Sequence, residues 1–405
     1  MKIGVLSFYY KNFNYGGMLQ AYALCRAVEL MGYDIEQISF DVWSPIRQSM
    51  KDSRREIWKS VNAVEKAGLV FSHVKDKIAA MLPKRSKDLS AEIATQIKQR
   101  NDAFLRFQET IPHSKTVYTE DTVSGCANDY DVFIVGSDQV WNQKIGRPLY
   151  LLGFLPDEKY RIAYAASIAQ TALSERQKRL FSENLPKFSA VSVREPDAVN
   201  LIEQCTSVPT SWVLDPTLLL TKEQWDSVCE ERVISEKYIF CYFLGENKKA
   251  RKLVVDFAKK KDLKIVSLPF LLGEYNSLDN GFGDVHLFDI SPAQFIALIK
   301  HAEYVFTDSF HAAVFSNIYE KQYFAFNRDA NGSMNSRIYG LNKLFGQENR
   351  FCFNKPRMSV KHLEEVCKSD GKKSKSVFEE LKKSSISFLK DCLLKAEEGS
   401  VNGKN

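Results

Sequence analysis

The stretch VFTDSFHAAVFSN (residues 305–317) sets His311 between two apolar runs, just after the polar pair Asp308 and Ser309. An imidazole exchanges a proton near neutral pH, so a histidine at such a turn is a candidate acid and base. Either Asp308 or Ser309 can cap the helix that the second run implies. His311 then falls in the first turn, where free N–H groups and the helix dipole attract an anion. The other five histidines (73, 113, 286, 301 and 362) have no comparable strand-end setting. The bland alternative is a histidine that only satisfies its turn.

Other polar groups follow apolar runs in the same way. GSDQVWN (136–142) offers Ser137, Asp138, Gln139 and Asn142 as hydrogen-bonding groups beside Trp141, a composition that suits a sugar's hydroxyls and ring face. A turn with the indole tucked into the core would read alike. Arg194 closes the run FSAVSV, where a guanidinium can grip a carboxylate or phosphate through two parallel hydrogen bonds. An ion pair with Glu195 or Asp197 is the alternative. Asn14, Tyr15 and Gly16, in NYGG, resemble a glycine-rich anion loop, although a plain strand-to-helix turn also uses glycines. In NSR, Asn335 and Ser336 can cap a helix, leaving Arg337 near its start, where a cation opposes the dipole. An anionic ligand explains that arrangement, and so does an ion pair with Asp329. DYD (129–131) imitates a metal-binding pattern, but Asp131 opens its strand instead of closing it, so no metal is expected.

Elements that place such groups at strand ends are those of a parallel α/β sheet, whose ligands bind outside the carboxyl ends of the strands. Residues 3–8 read as a strand, 18–32 as a helix ending at Gly32, and YDIEQISF as the next strand, a βαβ order. Strand-like runs recur at 131–136, 160–167, 188–194, 238–245 and 263–269, and again in EYVFTD and QYFAF. The expected fold is α/β, two Rossmann-type domains with parallel sheets facing a central cleft. Residues 1–190 form the first domain, with a helical insertion at about 44–128. Residues 191–350 form the second, and 351–405 a basic helical tail.

A chain of 405 residues suits two domains, each able to bury a core. No run approaches the roughly 20 apolar residues of a membrane span. The N-terminus reads as a strand, not a signal peptide. Eight scattered cysteines without C-x-x-C indicate a reduced, cytoplasmic setting. The net charge of +6 is concentrated between about Lys51 and Arg106 and in KSDGKKSKS. Such runs are usually solvated helix faces. The sharper expectation is contact with an anionic membrane surface or substrate, and not with nucleic acid, because no interleaved aromatic and basic pattern appears.

Together NYGGMLQAYAL, YDVFIVGSDQVWN, YAASI, VSVRE, VLDPTLLL, TDSFHAAVFSN and NSRI resemble the polysaccharide pyruvyl transferase family, in family order over residues 1 to about 350. The resemblance implies a GT-B-like pair of Rossmann-type domains and transfer of a pyruvyl group from phosphoenolpyruvate onto two hydroxyls of a sugar as a ketal, in exopolysaccharide or capsule biosynthesis. Phosphoenolpyruvate is then a donor substrate and no cofactor is needed. On that footing residues 1–190 are the acceptor side and residues 191–350 the phosphoenolpyruvate side, His311 is acid and base, and Arg194 with the Ser309 helix end holds the donor. Asp138 and Gln139 hold the acceptor, and Arg337 neutralises the leaving phosphate. A lipid-linked saccharide acceptor is expected, with peripheral contact at the inner membrane face. Ala312 departs from the family's usual glycine, and residues 44–128 carry no family motif. Two other functions suit the same sequence: a GT-B glycosyltransferase using a nucleotide sugar, and a non-catalytic saccharide-binding assembly protein.

Overall fold

VFIV in the first half and YVFT in the second are unbroken apolar runs, as expected of parallel strands covered on both faces. In the computed structural model, which describes residues 1–42, 90–142, 148–272, 275–328, 335–352, 358–368 and 376–402, each anchors one of two six-stranded sheets. The first sheet contains β1 (Lys2–Leu6), β2 (Asp34–Gln37), β3 (Val132–Val135), β4 (Tyr160–Ala166), β5 (Ala190–Val193) and β6 (Thr210–Trp212). Its order is β2-β1-β3-β4-β5-β6, with every pairing parallel. The second contains β7 (Tyr238–Tyr242), β8 (Lys264–Ser267), β9 (Val285–His286), β10 (Tyr304–Thr307), β11 (Gln322–Phe326) and β12 (Phe351–Cys352). Its order, β12-β11-β10-β7-β8-β9, is also parallel throughout.

The helices of the first unit are α1 (Tyr15–Glu29), α2 (Ala91–Gln108), α3 (Glu175–Asn184) and α4 (Pro196–Glu203), and α5 (Lys222–Asp226) leads out of it. The second unit follows with α6 (Lys248–Lys261), α7 (Pro292–His301), α8 (Phe310–Ile318), α9 (Asn335–Leu344), α10 (Val360–Lys368) and α11 (Ser376–Asn402). In each sheet the connections leave the first strand on opposite sides, which opens a crevice at the carboxyl ends of β1 and β3, and of β7 and β10. Two Rossmann-type units facing a shared cleft make the fold GT-B-like.

Two boundaries differ from expectation. The first sheet continues past residue 190, since β5 pairs with β4 and β6 with β5, so the first unit's strands end at Trp212. TSW is too short an apolar run to advertise a strand by itself. The tail is not an appendage either. Phe351 and Cys352 extend the second sheet beside β11, and α11 packs back on the first unit. Leu389, Cys392, Leu393 and Ala396 recur at helical spacing and are buried, and Leu214 N donates to Ser385 Oγ at 2.9 Å. Most of the expected insertion, residues 43–89, lies outside the described residues.

A shared apolar core joins the units. Tyr15 of α1 stacks on Phe295 of α7, with ring centroids 4.5 Å apart, and donates its hydroxyl hydrogen to Ile290 O at 2.9 Å. Arg100 of α2 donates to that hydroxyl at 3.3 Å and to Phe13 O at 2.6 Å. Burying rings of this size contributes about 1.5–3 kcal/mol each, which favours one fixed arrangement of α1 against the second unit.

Candidate active site

Past β6 the buried chain reaches Asp215, which caps the turn Pro216–Leu218. Its Oδ1 accepts from Thr217 N at 3.0 Å and from Thr217 Oγ1 at 2.6 Å. Oδ2 accepts from Arg194 Nη1 at 2.7 Å and Ser137 Oγ at 3.3 Å, and lies 3.6 Å from His311 Nε2. Burial opposes ionisation of this carboxyl, but His311, Arg194 and Thr217 outweigh it and hold the group well below the usual carboxylate range. Strand ends of both units thus converge on one fixed negative charge. Sequence reading missed Asp215, although VLDPT follows an apolar run and the Asp-Pro-Thr order is a capping signal.

Arg194, expected as an open anion clamp, is turned inward. Besides Asp215 it faces Asp138 Oδ1 at 3.6 Å from Nη2 and Glu195 Oε1 at 3.6 Å from Nε, with its guanidinium 4.5 Å from the Phe310 ring centre. Burial disfavours its charge, yet Asp215, Glu195 and Asp138 more than compensate and raise its pKa above the ordinary value. Three carboxylates already in place are a stronger partner than a ligand that comes and goes. Arg194 therefore holds Asp215, while Nε and Nη2 keep no hydrogen bond.

His311 lies in the first turn of α8, capped by Ser309, whose Oγ accepts from Ala312 N at 3.4 Å. At 3.6 Å the Nε2 contact with Asp215 is an ion-pair distance, longer than a formed hydrogen bond. It nevertheless orients the ring so that Nε2 faces the carboxylate and Nδ1 faces α1. Gly16 explains how α1 comes so close: a β-carbon there would stand 2.0 Å from His311 Nδ1. That is a sharper reason for the glycine than an anion loop. Ala312 is fully buried and does not line the cleft.

The cleft itself, about 520 Å³ including its open mouth, is lined by Asn14, Asp138, Gln139, Asp308, Ser309, His311, Arg328 and Arg337 among others. Arg328 lies two residues past β11 and was not singled out from sequence, though the strand-end rule reaches it. Burial and the neighbouring Arg194 push the Arg337 guanidinium down to about 10, partly offset by Glu195 and Asp138, so it stays charged at neutral pH. Asp308 serves the scaffold. Its carboxylate accepts from Leu244 N at 2.6 Å and Gly245 N at 2.9 Å, tying the β7 crevice to the end of β10.

The remaining expected residues divide. Asn14 caps α1 through Gly16 N at 2.9 Å and lines the cleft. Asp138, in left-handed backbone with φ 61°, and Gln139 also line it. Tyr15 does not, being locked in the interdomain core at 2% exposure. Ser137 is fully buried beneath Asp215, and Asn142 supports Gln139 through Nδ2 to Oε1 at 3.1 Å. Trp141, expected as a sugar platform, is buried, with its N–H on Tyr150 O at 3.1 Å. Asn335 and Ser336 open α9, but their side chains lie outside what is described.

Two Rossmann-type units closing on a cleft that carries a histidine, a buried aspartate and arginines define a GT-B-like protein with an interdomain site. The chain belongs to the polysaccharide pyruvyl transferase family, whose sequence profile matches residues 14–330. It is accordingly a transferase of polysaccharide biosynthesis with a saccharide acceptor. Among curated proteins none matches the chain. A solved structure shares the fold at low identity. It is described as a UDP-N-acetylglucosamine 2-epimerase from Listeria monocytogenes and is 9% identical with TM-score 0.50, covering 96% of this chain and 90% of that one. The UDP-GlcNAc 2-epimerase from Methanocaldococcus jannaschii is 11% identical with TM-score 0.49, covering 92% and 94%.

Proposed function

We propose that the chain moves a pyruvyl group from phosphoenolpyruvate to two hydroxyls of a saccharide, forming a ketal and releasing phosphate. The observation that carries this reading is His311, held between Asp215 and Gly16 at the first turn of α8, beside Arg328 and Arg337 in one cleft. Phosphoenolpyruvate brings a carboxylate and a phosphate, and two guanidinium groups with a helix N-terminus are suited to that pair of anions.

The balance is simple. One hydroxyl oxygen bonds to C2 of the enol while its proton reaches the methylene carbon, which becomes the methyl group. The C–O bond to phosphate then breaks, and the second hydroxyl oxygen closes the ketal as its proton leaves with phosphate. His311 is the group suited to carry protons between hydroxyl and carbon, with Asp215 facing its Nε2. Arg194 acts through Asp215 as a positioning residue. Asp138 and Gln139 are placed to accept from and donate to acceptor hydroxyls, and Arg337 to neutralise departing phosphate.

We read the acceptor as a lipid-linked saccharide of exopolysaccharide or capsule assembly, met at the cytoplasmic face of the membrane. Among the described residues no helix is long and apolar enough to cross a membrane. The basic stretch expected to touch lipid lies mostly outside the described residues, and Arg100 within it is committed to Tyr15. Anionic vesicles at low salt test the contact, and absence of binding would remove it. For the reaction, inorganic phosphate released from phosphoenolpyruvate with an acceptor supports the proposal. A nucleotide-sugar transferase would release a nucleoside diphosphate instead.

A further inference from the structure

Beside the cleft lies a second cavity of about 470 Å³ including its open mouth, and it shares Phe310 and Arg337 with the cleft. Trp212, Leu341 and Leu344 form apolar wall, and Asp215 lines it too. A buried side chain brings it a polar atom with no hydrogen bond, Oε2 of Glu195, 7% exposed, whereas Nε and Nη2 of Arg194 are already faced by Glu195 and Asp138 at 3.6 Å. Glu195 Oε1 is fixed by Ser167 Oγ, which leaves Oε2 as the open acceptor. Buried polar atoms without partners are rare in folded proteins and call for an explanation such as a ligand. Trp212 is half-buried, and its indole N–H donates to Arg194 O at 3.2 Å, so the ring is held in place.

We infer that this cavity is the acceptor subsite, where a pyranose ring lies on Trp212 with a hydroxyl on Glu195 Oε2, and the hydroxyls that react extend past Arg337 to Asp138 and Gln139 in the cleft. The inference rests on the pyruvyl-transfer reading and adds where the acceptor sits. A neutral polyhydroxylated ring uses donors and acceptors together, and its C–H face suits an indole. A phosphate or carboxylate is a poorer occupant, because the carboxylates of Glu195, Asp197 and Asp215 outnumber the guanidinium groups of Arg194 and Arg337 in the lining. Asp215 lines this cavity and lies 3.6 Å from His311, and Phe310 and Arg337 border both spaces, so a sugar bound here lies next to the cleft that holds the proton carrier. The aromatic platform sought at Trp141 is thereby supplied by Trp212, on the edge strand β6.

The test uses methyl β-D-galactopyranoside and methyl β-D-glucopyranoside as probes, with binding read by saturation-transfer NMR and phosphoenolpyruvate affinity measured alongside. Wild-type protein is expected to bind at least one glycoside saturably. Trp212→Ala should weaken that binding by about threefold to tenfold, and Trp212→Phe by less than about twofold, with phosphoenolpyruvate affinity unchanged in both. Should Trp212→Ala not fold, Trp212→Leu carries the same expectation. No glycoside binding, binding indifferent to Trp212, or an equal loss of phosphoenolpyruvate affinity would overturn the subsite. Trp212-dependent binding without phosphate release leaves the subsite standing and removes pyruvyl transfer. Phosphoenolpyruvate turnover with a glycoside that ignores Trp212→Ala does the reverse.

Discussion

Gly16 and His311 meet across the two units: a β-carbon on Gly16 would stand 2.0 Å from Nδ1 of His311. On helix propensity alone alanine would be favoured by about 0.8–1 kcal/mol at a helix interior. Here the added methyl displaces the imidazole, an overpacking that costs about 1–3 kcal/mol. Gly16→Ala should therefore change the melting temperature little while lowering turnover by about a hundredfold, the scale of a misplaced reacting group. Wild-type turnover in this variant would contradict the close packing.

Asp215→Asn keeps the shape of the side chain and removes its charge. Arg194 then loses its nearest counter-charge in a buried site, a loss of about 3–5 kcal/mol in unfolding free energy. Turnover should fall by about a hundredfold or more, the scale of lost acid–base assistance, with the KM for phosphoenolpyruvate changed only a few-fold. Denaturant titration and steady-state kinetics on the same preparation check both effects.

Arg328 and Arg337 line the cleft at the helix end, on the side assigned to the donor. Replacing either by alanine should raise the KM for phosphoenolpyruvate by about tenfold to a hundredfold, the range for hydrogen bonds to charged groups. Inhibition by inorganic phosphate should weaken in parallel. Unchanged donor KM in both variants would move the anion elsewhere.

Asp308 gives a pH signature of stability. Burial pushes its carboxyl up to about 6, against the Leu244 and Gly245 amides and Arg328. The folded state thus holds this proton more tightly than the unfolded chain, whose value is about 4. Its contribution is most favourable below about pH 4, declines as pH rises to about 6 and is level above, a change of about 3 kcal/mol. Asp215 acts with opposite sign, its contribution being lost only as pH falls below about 4. Denaturation of wild type and Asp308→Asn between about pH 4 and pH 7 should show a decline in the first and a flatter profile in the second. Parallel profiles would contradict the assignment.

Much of this was legible in the sequence because parallel strands are continuous apolar runs, and the polar groups after them fall at the crevice. His311, Asp138, Gln139 and Arg337 were found that way, and all four line the cleft. What failed was the inference from residue type to exposure. Tyr15 and Trp141 sit in polar stretches yet are buried, because each finds a backbone carbonyl for its polar hydrogen and packs the rest of its ring. Asp215 escaped because its meaning lies in partners 78, 21 and 96 positions away, Ser137, Arg194 and His311, which only the fold brings together. The return of α11 to the first unit was hidden for the same reason.

The most direct test incubates the purified chain with phosphoenolpyruvate and a panel of saccharide acceptors, measuring phosphate release and product mass together. The account predicts one phosphate released for each pyruvyl ketal formed, and loss of both in His311→Ala. Sugar transfer from a nucleotide donor with phosphoenolpyruvate left intact, or ketal formation undiminished in His311→Ala, would contradict it.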